Sequence, residues 1–353
     1  MAAGDFTAST LATVIEREDM LFGDSRQKRL YEPKSVALQE IVKEQTAQIS
    51  AVATSAINKI KIAWVNTNGI TADDCPTPTC EPTGALLETA GQEYTLDQCT
   101  AATNFKVEVI VGSNPYSIYA NGVIGYADLV ANGMLKQKKE IEEKMAAKAV
   151  SLTVAKAGTN ADTYGENGSV VTGTNTTIPA AYWNANLFPF FQQEAELNRF
   201  ANPYLITGRN LYLQALESIP NRANDDQRSV GVANQLIETA YDPFTFGRLS
   251  LDKVTLLIDA GAIAFANRNV YSRNVEDPMP TTKVFSVPSI SFPGVVDFDV
   301  EVTRVCEIAT VGGSSVKKWF DVYSMKAPFY NIIANPANGI TGNTGVLKFT
   351  NVA

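Results

Sequence analysis

One stretch limits the fold more than any other. From about Ser117 to Ala155 the apolar residues Ala127, Val130, Met134, Ile141, Met145 and Ala149 recur at spacings of three, four or seven, which marks one face of a helix. About thirty residues at ~1.5 Å each span roughly 45 Å, longer than a small domain is wide. Such a helix needs more than one partner along its length. The run KQKKEIEEKMAAK, Lys136 to Lys148, places charges around it and reads as a solvated face rather than a binding patch. Gly125 and Gly133 predict a break or bend in the first half. Lys156-Ala157-Gly158 predicts a glycine stop.

The flanking segments are of other kinds. Residues 1–35 lack lasting periodicity and read as an arm broken at Leu30 to Pro33. Ser35 to Ile57 reads as a helix capped by Ser35. Ile60 to Val65 and Asn104 to Val111 alternate like strands. A long polar excursion between them holds Pro76, Pro78, Pro82, Gly84 and Gly91. The expectation is one extended hairpin, since a structureless loop of that length is uncommon inside a compact domain. After the Gly/Asn/Thr-rich stretch 158–180, helices are expected over Asn184 to Arg199, Asn210 to Ile219 and Gly261 to Arg268. Strands are expected at Pro203 to Gly208, Val254 to Asp259, Val284 to Val287, Asp297 to Ile308 and Trp319 to Tyr330, with a last short strand in the tail. This mixture predicts an α+β chain of about two domains.

The residue inventory narrows the chemistry. Histidine is absent, which removes the commonest general base and metal ligand and every Ser-His-Asp or Cys-His arrangement. The net charge of −8 is not the balance of a protein whose main task is gripping phosphate. No phosphate loop, dinucleotide fingerprint or nucleophile elbow occurs. The opening Met1-Ala2-Ala3-Gly4-Asp5 has neither a basic nor an apolar leader region, and no run of about 18 apolar residues suggests a membrane span. Asp73-Asp74 and Asp225-Asp226 read as polar turns. Asp297 and Asp299 share one strand face, expected to be solvated. Cys75, Cys80 and Cys99 cluster in the polar excursion. Their spacing fits free loop thiols, a disulfide clip or a small metal knot. Cys306, in an alternating strand, reads as a buried small hydrophobe. No catalytic, cofactor-binding or metal-ligating residue is nominated, no cofactor is expected, and no enzymatic activity is expected.

The order of these pieces resembles the major capsid proteins of tailed bacteriophages, whose fold is shared with encapsulin shells. KEIEEKMAAKAVSLTVAKAGTN, Lys139 to Asn160, is similar to the end of that family's spine helix. AAYWNANLFPFFQQEAELNRFANPYLITGRNLYLQAL, Ala180 to Leu216, resembles the start of its apical domain. KKWFDVYSMKAPFYNII, Lys317 to Ile333, resembles a late strand returning to the peripheral domain. The resemblance implies an N-terminal arm and helix (1–58), an extended hairpin loop (59–112), and the spine helix with part of the peripheral domain (113–160). A mainly apical domain (161–315) and C-terminal peripheral strands (316–353) complete it. It implies a structural subunit that assembles as pentamers and hexamers into an icosahedral shell around double-stranded DNA. Portal, scaffolding and decoration proteins would be its partners, and packaged DNA would lie nearby without sequence-specific binding. The location implied is the virion, after assembly in the host cytoplasm, with no membrane. The alternatives are an encapsulin-like nanocompartment subunit, a histidine-free hydrolase and a surface protein.

Overall fold

The computed structural model describes residues 6–43, 50–53, 59–66, 88–95, 97–100, 104–109, 125–161, 168–184, 187–211, 237–311, 314–333 and 342–352. The chain divides into two compact units. Unit 1 comprises Met1–Pro33, Leu96–Met145 and Asn267–Phe329, and unit 2 comprises Lys34–Thr95, Ala146–Ala266 and Tyr330–Ala353.

Unit 1 begins with two helices, α1 (Ala8–Gly23) and α2 (Ser25–Tyr31), where no periodicity was expected. The Thr7 side chain caps α1 by accepting from the Thr10 N–H at 3.3 Å. Leu11, Val14 and Glu18 form its buried stripe, spaced three and four apart. Because its third member is charged, the stripe does not show as an apolar period in the sequence.

The long helix exists. It is α4 (Tyr126–Ala155), 30 residues, since α3 (Ala37–Lys43) precedes it in unit 2. The helix continues through Gly133, and the glycine answers to packing. A Cβ there would lie 2.5 Å from the Phe105 ring, and that ring stacks on Tyr323 at 4.7 Å between centroids. Glu140 and Lys144 pair at 3.6 Å, as their spacing suggests. The charged run as a whole is not a solvated face, because Gln137, Lys138 and Glu142 are all buried.

The sheet of unit 1 is built on two long strands, β14 (Asp297–Val311, 15 residues) and β15 (Ser314–Ile333, 20 residues). They pair antiparallel from Asp299 opposite Lys326 to Val311 opposite Ser314. On the other side of β14 lies β13 (Thr282–Pro288), followed by β12 (Glu276–Met279). The free side of β15 takes β4 (Asp97–Thr100) and β5 (Phe105–Val109). Phe6, Phe285, Phe298, Val300, Tyr323 and Met325 fill the core with the inner face of α4. Phe6 stacks on Phe285 at 5.1 Å.

The expected single hairpin is corrected. In unit 2, β2 (Lys59–Asn66) pairs with β1 (Ser50–Ala53) and with β3 (Glu88–Thr95), while β5 goes to β15. The nearer partner closes a shorter loop, and β5 gains more by burying Val107 and Val109 in the core of unit 1. The helix expected over Ser35 to Ile57 is cut short for the same reason: α3 holds only its start, and Ser50–Ala53 is a strand.

The main sheet of unit 2 has the order β6-β7-β16-β10-β8-β9, with β6 (Val170–Thr172), β7 (Asn175–Pro179), β8 (Pro203–Thr207), β9 (Glu238–Tyr241), β10 (Val254–Asp259) and β16 (Val346–Val352). The β16–β7 and β8–β9 pairs are parallel. Helix α5 (Leu187–Leu197) lays Leu187, Phe190 and Phe191 on Leu205, Leu257, Leu347 and Phe349. Pro189 is tolerated because it lies in the first turn. The expected helix at Gly261 to Arg268 is instead strand β11 (Ile263–Asn267). A short apolar run such as AIAFA does not separate the two forms by period. Gly158 ends no left-handed turn. A Cβ on it would meet Thr344 N at 2.5 Å, and its N–H donates to the Val346 carbonyl at 2.8 Å. The helix expected at Asn210 to Ile219 lies outside the described residues beyond Leu211, as do Asp73-Asp74 and Asp225-Asp226. No described helix is long and apolar enough to cross a membrane.

Candidate functional site: buried charge centres and an exposed strand end

In unit 1 the outer stretch of the β14–β15 ladder places two chemistries on one face. Arg304 on β14 stands opposite Asp321 on β15, and its guanidinium donates from Nε at 2.8 Å and Nη2 at 3.1 Å to the two carboxylate oxygens. The Tyr126 hydroxyl also donates to Asp321, at 2.7 Å, and lies 2.6 Å from the Tyr323 hydroxyl. Burial, then the neighbouring Tyr323 and Asp321, push the Tyr126 phenol well above its usual value, so it stays a neutral donor. Above this cluster, Phe6, Pro280, Lys283, Val302, Arg304 and Trp319 help to line a cavity of about 70 Å³. A drug-sized ligand site needs roughly 300–1,000 Å³. The space fits a side chain or a few waters.

Beyond the cavity the ladder runs past its core. Phe298, Val300 and Val302 are buried. Past Arg304 on the same face, Cys306 and Ile308 are exposed, Ile308 at 72%, and so is Trp319, opposite Cys306, at 39%. Cys306 is thus a free, exposed thiol rather than a buried hydrophobe, because the strand outlasts its cover. The opposite face is tied by ions. Lys106 Nζ sits 2.6 Å from Glu307 and 4.8 Å over the Phe320 ring, and Lys318 pairs with Glu108 at 3.1 Å.

The aspartate pair on β14 is not a solvated face. Asp299 is fully buried and accepts from the Val270 N–H at 2.9 Å and the Tyr271 N–H at 3.0 Å. Burial nevertheless moves its carboxyl upward, opposed by those two donors. Asp297 pairs with Arg273 at 3.0 Å. Both carboxylates hold structure, and neither is poised beside a nucleophile.

The described residues of unit 2 include further buried polar centres, of which two tie distant segments together. Asp242 is fully buried. Its Oδ2 accepts from Ser35 Oγ at 2.7 Å, Val36 N at 2.9 Å, Ala37 N at 2.9 Å and Thr245 Oγ at 2.7 Å, and its Oδ1 accepts from Thr245 N at 2.8 Å. One carboxylate therefore caps both α3 and α6 (Pro243–Arg248). Ser35 does not cap its own helix but donates to this aspartate. The second centre links Asn160 to Glu194 at 2.5 Å, Asn198 to Asn160 at 2.7 Å and Asn343 to Asn198 at 2.7 Å. It joins the end of the long-helix segment, α5 and the turn before β16. Sequence reasoning missed both centres, since their members are far apart in the chain.

Of the cysteine cluster, Cys75 and Cys80 lie outside the described residues. Cys99 is on β4, opposite Ala327. Among the described residues, no group of three or more Cys, Asp or Glu side chains is placed to hold a metal ion.

No family model and no curated protein matches the chain. Solved structures do. The chain is similar to one of Mycobacterium phage Adephagia at 13% identity, over 99% of each chain, with a TM-score of 0.45. It is similar to a chain of the cyanophage A-1(L) capsid asymmetric unit at 12% identity, over 84% of this chain and 89% of that one, with a TM-score of 0.46. It is similar to a chain of the capsid of Ralstonia phage GP4 at 9% identity, over 85% and 84%, with a TM-score of 0.38.

Proposed function

We propose that the chain is a structural shell subunit, a major capsid protein of a tailed phage that self-assembles around double-stranded DNA. One observation carries the reading: in unit 1 the paired stretch of two long strands, of 15 and 20 residues, extends beyond its own core and ends in exposed Ile308, Cys306 and Trp319. Strands of globular proteins usually run 3–10 residues. A ladder longer than its core gives a monomer nothing to bury, whereas a lattice of copies supplies the missing cover. The polar centres support the same reading. Each ties helices, strands and turns together, and the cavity beside Arg304 is too small for a metabolite. Asp242, Asp299 and Asp321 are all committed to backbone, hydroxyl or arginine donors that tie elements together.

In this reading unit 1 is the peripheral domain, with the first part of the spine helix, and unit 2 is mainly the apical domain. The partners are copies of the chain in pentamers and hexamers, with portal, scaffolding and decoration proteins at defined places. DNA would be enclosed without sequence-specific contacts. The subunit would assemble in the host cytoplasm, reside in the virion, and catalyse no reaction.

The test is negative-stain microscopy and light scattering of the purified protein, alone and co-expressed with its neighbouring genes. Closed shells or rings of five and six are expected. A monomer under every condition, with full thermal stability, would overturn the proposal.

A further inference from the structure

Lys138 on α4 is flanked by two carboxylates as deeply buried as itself. Glu18, from α1, accepts from Lys138 Nζ at 2.6 Å, with side-chain exposures of 7% and 5%. Glu142 follows four residues later on the same helix face and is 2% exposed. Its oxygens accept from the Ile290 N–H at 2.5 Å and the Ser291 N–H at 3.2 Å. Glu18 differs in one respect. Its second oxygen, Oε1, is buried with no hydrogen-bond partner among the described residues. With every group ionised, the trio holds two negative charges and one positive charge out of water.

We propose that docking of α1 on α4 takes up a proton at Glu18, making the N-terminal helix a clasp that tightens as pH falls and loosens as pH rises.

The proton goes to Glu18 rather than Glu142 for a geometric reason. Burial raises both carboxyls, but hydrogen bonds from Ser291 and Ile290 oppose it at Glu142, while the orphan oxygen of Glu18 gains nothing from its charge. Protonation leaves Lys138 with Glu142 as its counter-ion and removes the excess negative charge. The other charges nearby do not reverse this. Asp19, next on α1, pushes Glu18 in the same direction. Arg17 is engaged with Asp128 at 3.4 Å on the exposed side. The 289–292 turn brings only backbone N–H groups and serine hydroxyls. Burial, the largest influence, raises the Glu18 carboxyl above its ordinary 4.5 despite Lys138.

The sign follows. In the docked state Glu18 holds its proton to a higher pH than in the free arm. The docking constant therefore rises as pH falls between the two values, by at most about tenfold per pH unit for one proton. It levels off below the free value, and the gain is lost as pH rises through the docked value. Phe6, Leu11 and Val14 anchor the arm at every pH. The clasp thus tunes the arm's hold rather than switching it fully.

The experiment is amide hydrogen exchange on the full chain between pH 5 and pH 8, with protection factors corrected for intrinsic rates. Amides of residues 11–22 are compared with those of β10. The expected result is a several-fold rise in α1 protection toward pH 5, beyond any change shown by β10. Glu18→Gln, a neutral isostere, should raise α1 protection at pH 8 and abolish the slope. Unchanged α1 protection, protection rising with pH, or a wild-type slope in the Gln variant would each overturn the proposal. Should that variant fold poorly, carbon-13 NMR of the wild-type Glu18 carboxyl decides. A midpoint above 4.5 supports the clasp, and one at or below 4.5 refutes it.

Discussion

Replacing Asp242 by alanine should be the most damaging single change in unit 2. The carboxylate is fully buried and accepts five hydrogen bonds, three from side-chain or backbone groups of Ser35 to Ala37 and two from Thr245. Loss of one helix cap costs about 0.5–2 kcal/mol, and Asp242 caps two. Each buried donor left without a partner adds about 1–3 kcal/mol, although neighbouring losses are not additive. Water would also reach some of the freed groups, so a net loss of about 3–5 kcal/mol is expected. For a domain of 150–250 residues this is a fall of roughly 10 °C in Tm, at about 2–4 °C per kcal/mol. Asp242→Asn should lose nearly as much, because the amide turns an –NH2 towards donors whichever way it is placed. Urea unfolding followed by circular dichroism measures the loss, with Asp252→Ala, at an exposed position, as the control. Amide exchange at Ala37 to Lys43 should accelerate before global unfolding. A loss below about 1 kcal/mol, with α3 protection intact, would refute the reasoning that one carboxylate holds both helix starts.

Gly133→Ala should destabilise unit 1 by about 1–3 kcal/mol by overpacking against the Phe105 ring, outweighing the ~1 kcal/mol of helix propensity it gains; thermal melts check the sign, and Phe105→Leu in the same chain should restore part of the loss. Ile308→Asp should leave subunit Tm within about 2 °C, since the residue is 72% exposed, yet reduce particle yield several-fold by sedimentation; normal yield would count against the strand end as an interface. Burial raises Glu18, Glu142, Asp259 and Asp299 alike. The folded chain therefore binds more protons than the unfolded one just above the ordinary carboxylate range, and stability should fall as pH rises out of that range rather than increase, as urea midpoints over a pH series will show. If Cys75 and Cys80 are bridged, mass spectrometry after alkylation without reductant should find two fewer free thiols than after reduction.

Several elements were legible because their signal is local. The period of α4, the strand-rich runs of β13, β14 and β15, and the apolar face of α5 all follow from the residues along one segment. The absence of histidine bounded the chemistry in the same direct way. Other elements were not legible because partners decided them. Ser50–Ala53 carries no strand pattern of its own and is a strand because β2 lies beside it. The AIAFA run could serve either state until a sheet selected one. The arm read as irregular since Glu18 breaks the apolar stripe of α1, and only the burial of Lys138 gives that glutamate a place.

The division has a physical basis. The sequence by itself determined the long helix, the α+β mixture and the exclusion of histidine-based catalysis, because these rest on periodicity and on which side chains exist. Tertiary structure decided which strands pair, which charges leave water and which strand end stays uncovered. Strand pairing is a competition among distant segments for the same backbone hydrogen bonds, won by burial of Val107 and Val109 in one case and by loop length in another. Burial of a polar side chain is tolerated only where a complementary partner waits, as Lys138 does for Glu18 and the Ile290 and Ser291 amides do for Glu142. No spacing rule places a residue opposite one more than a hundred positions away.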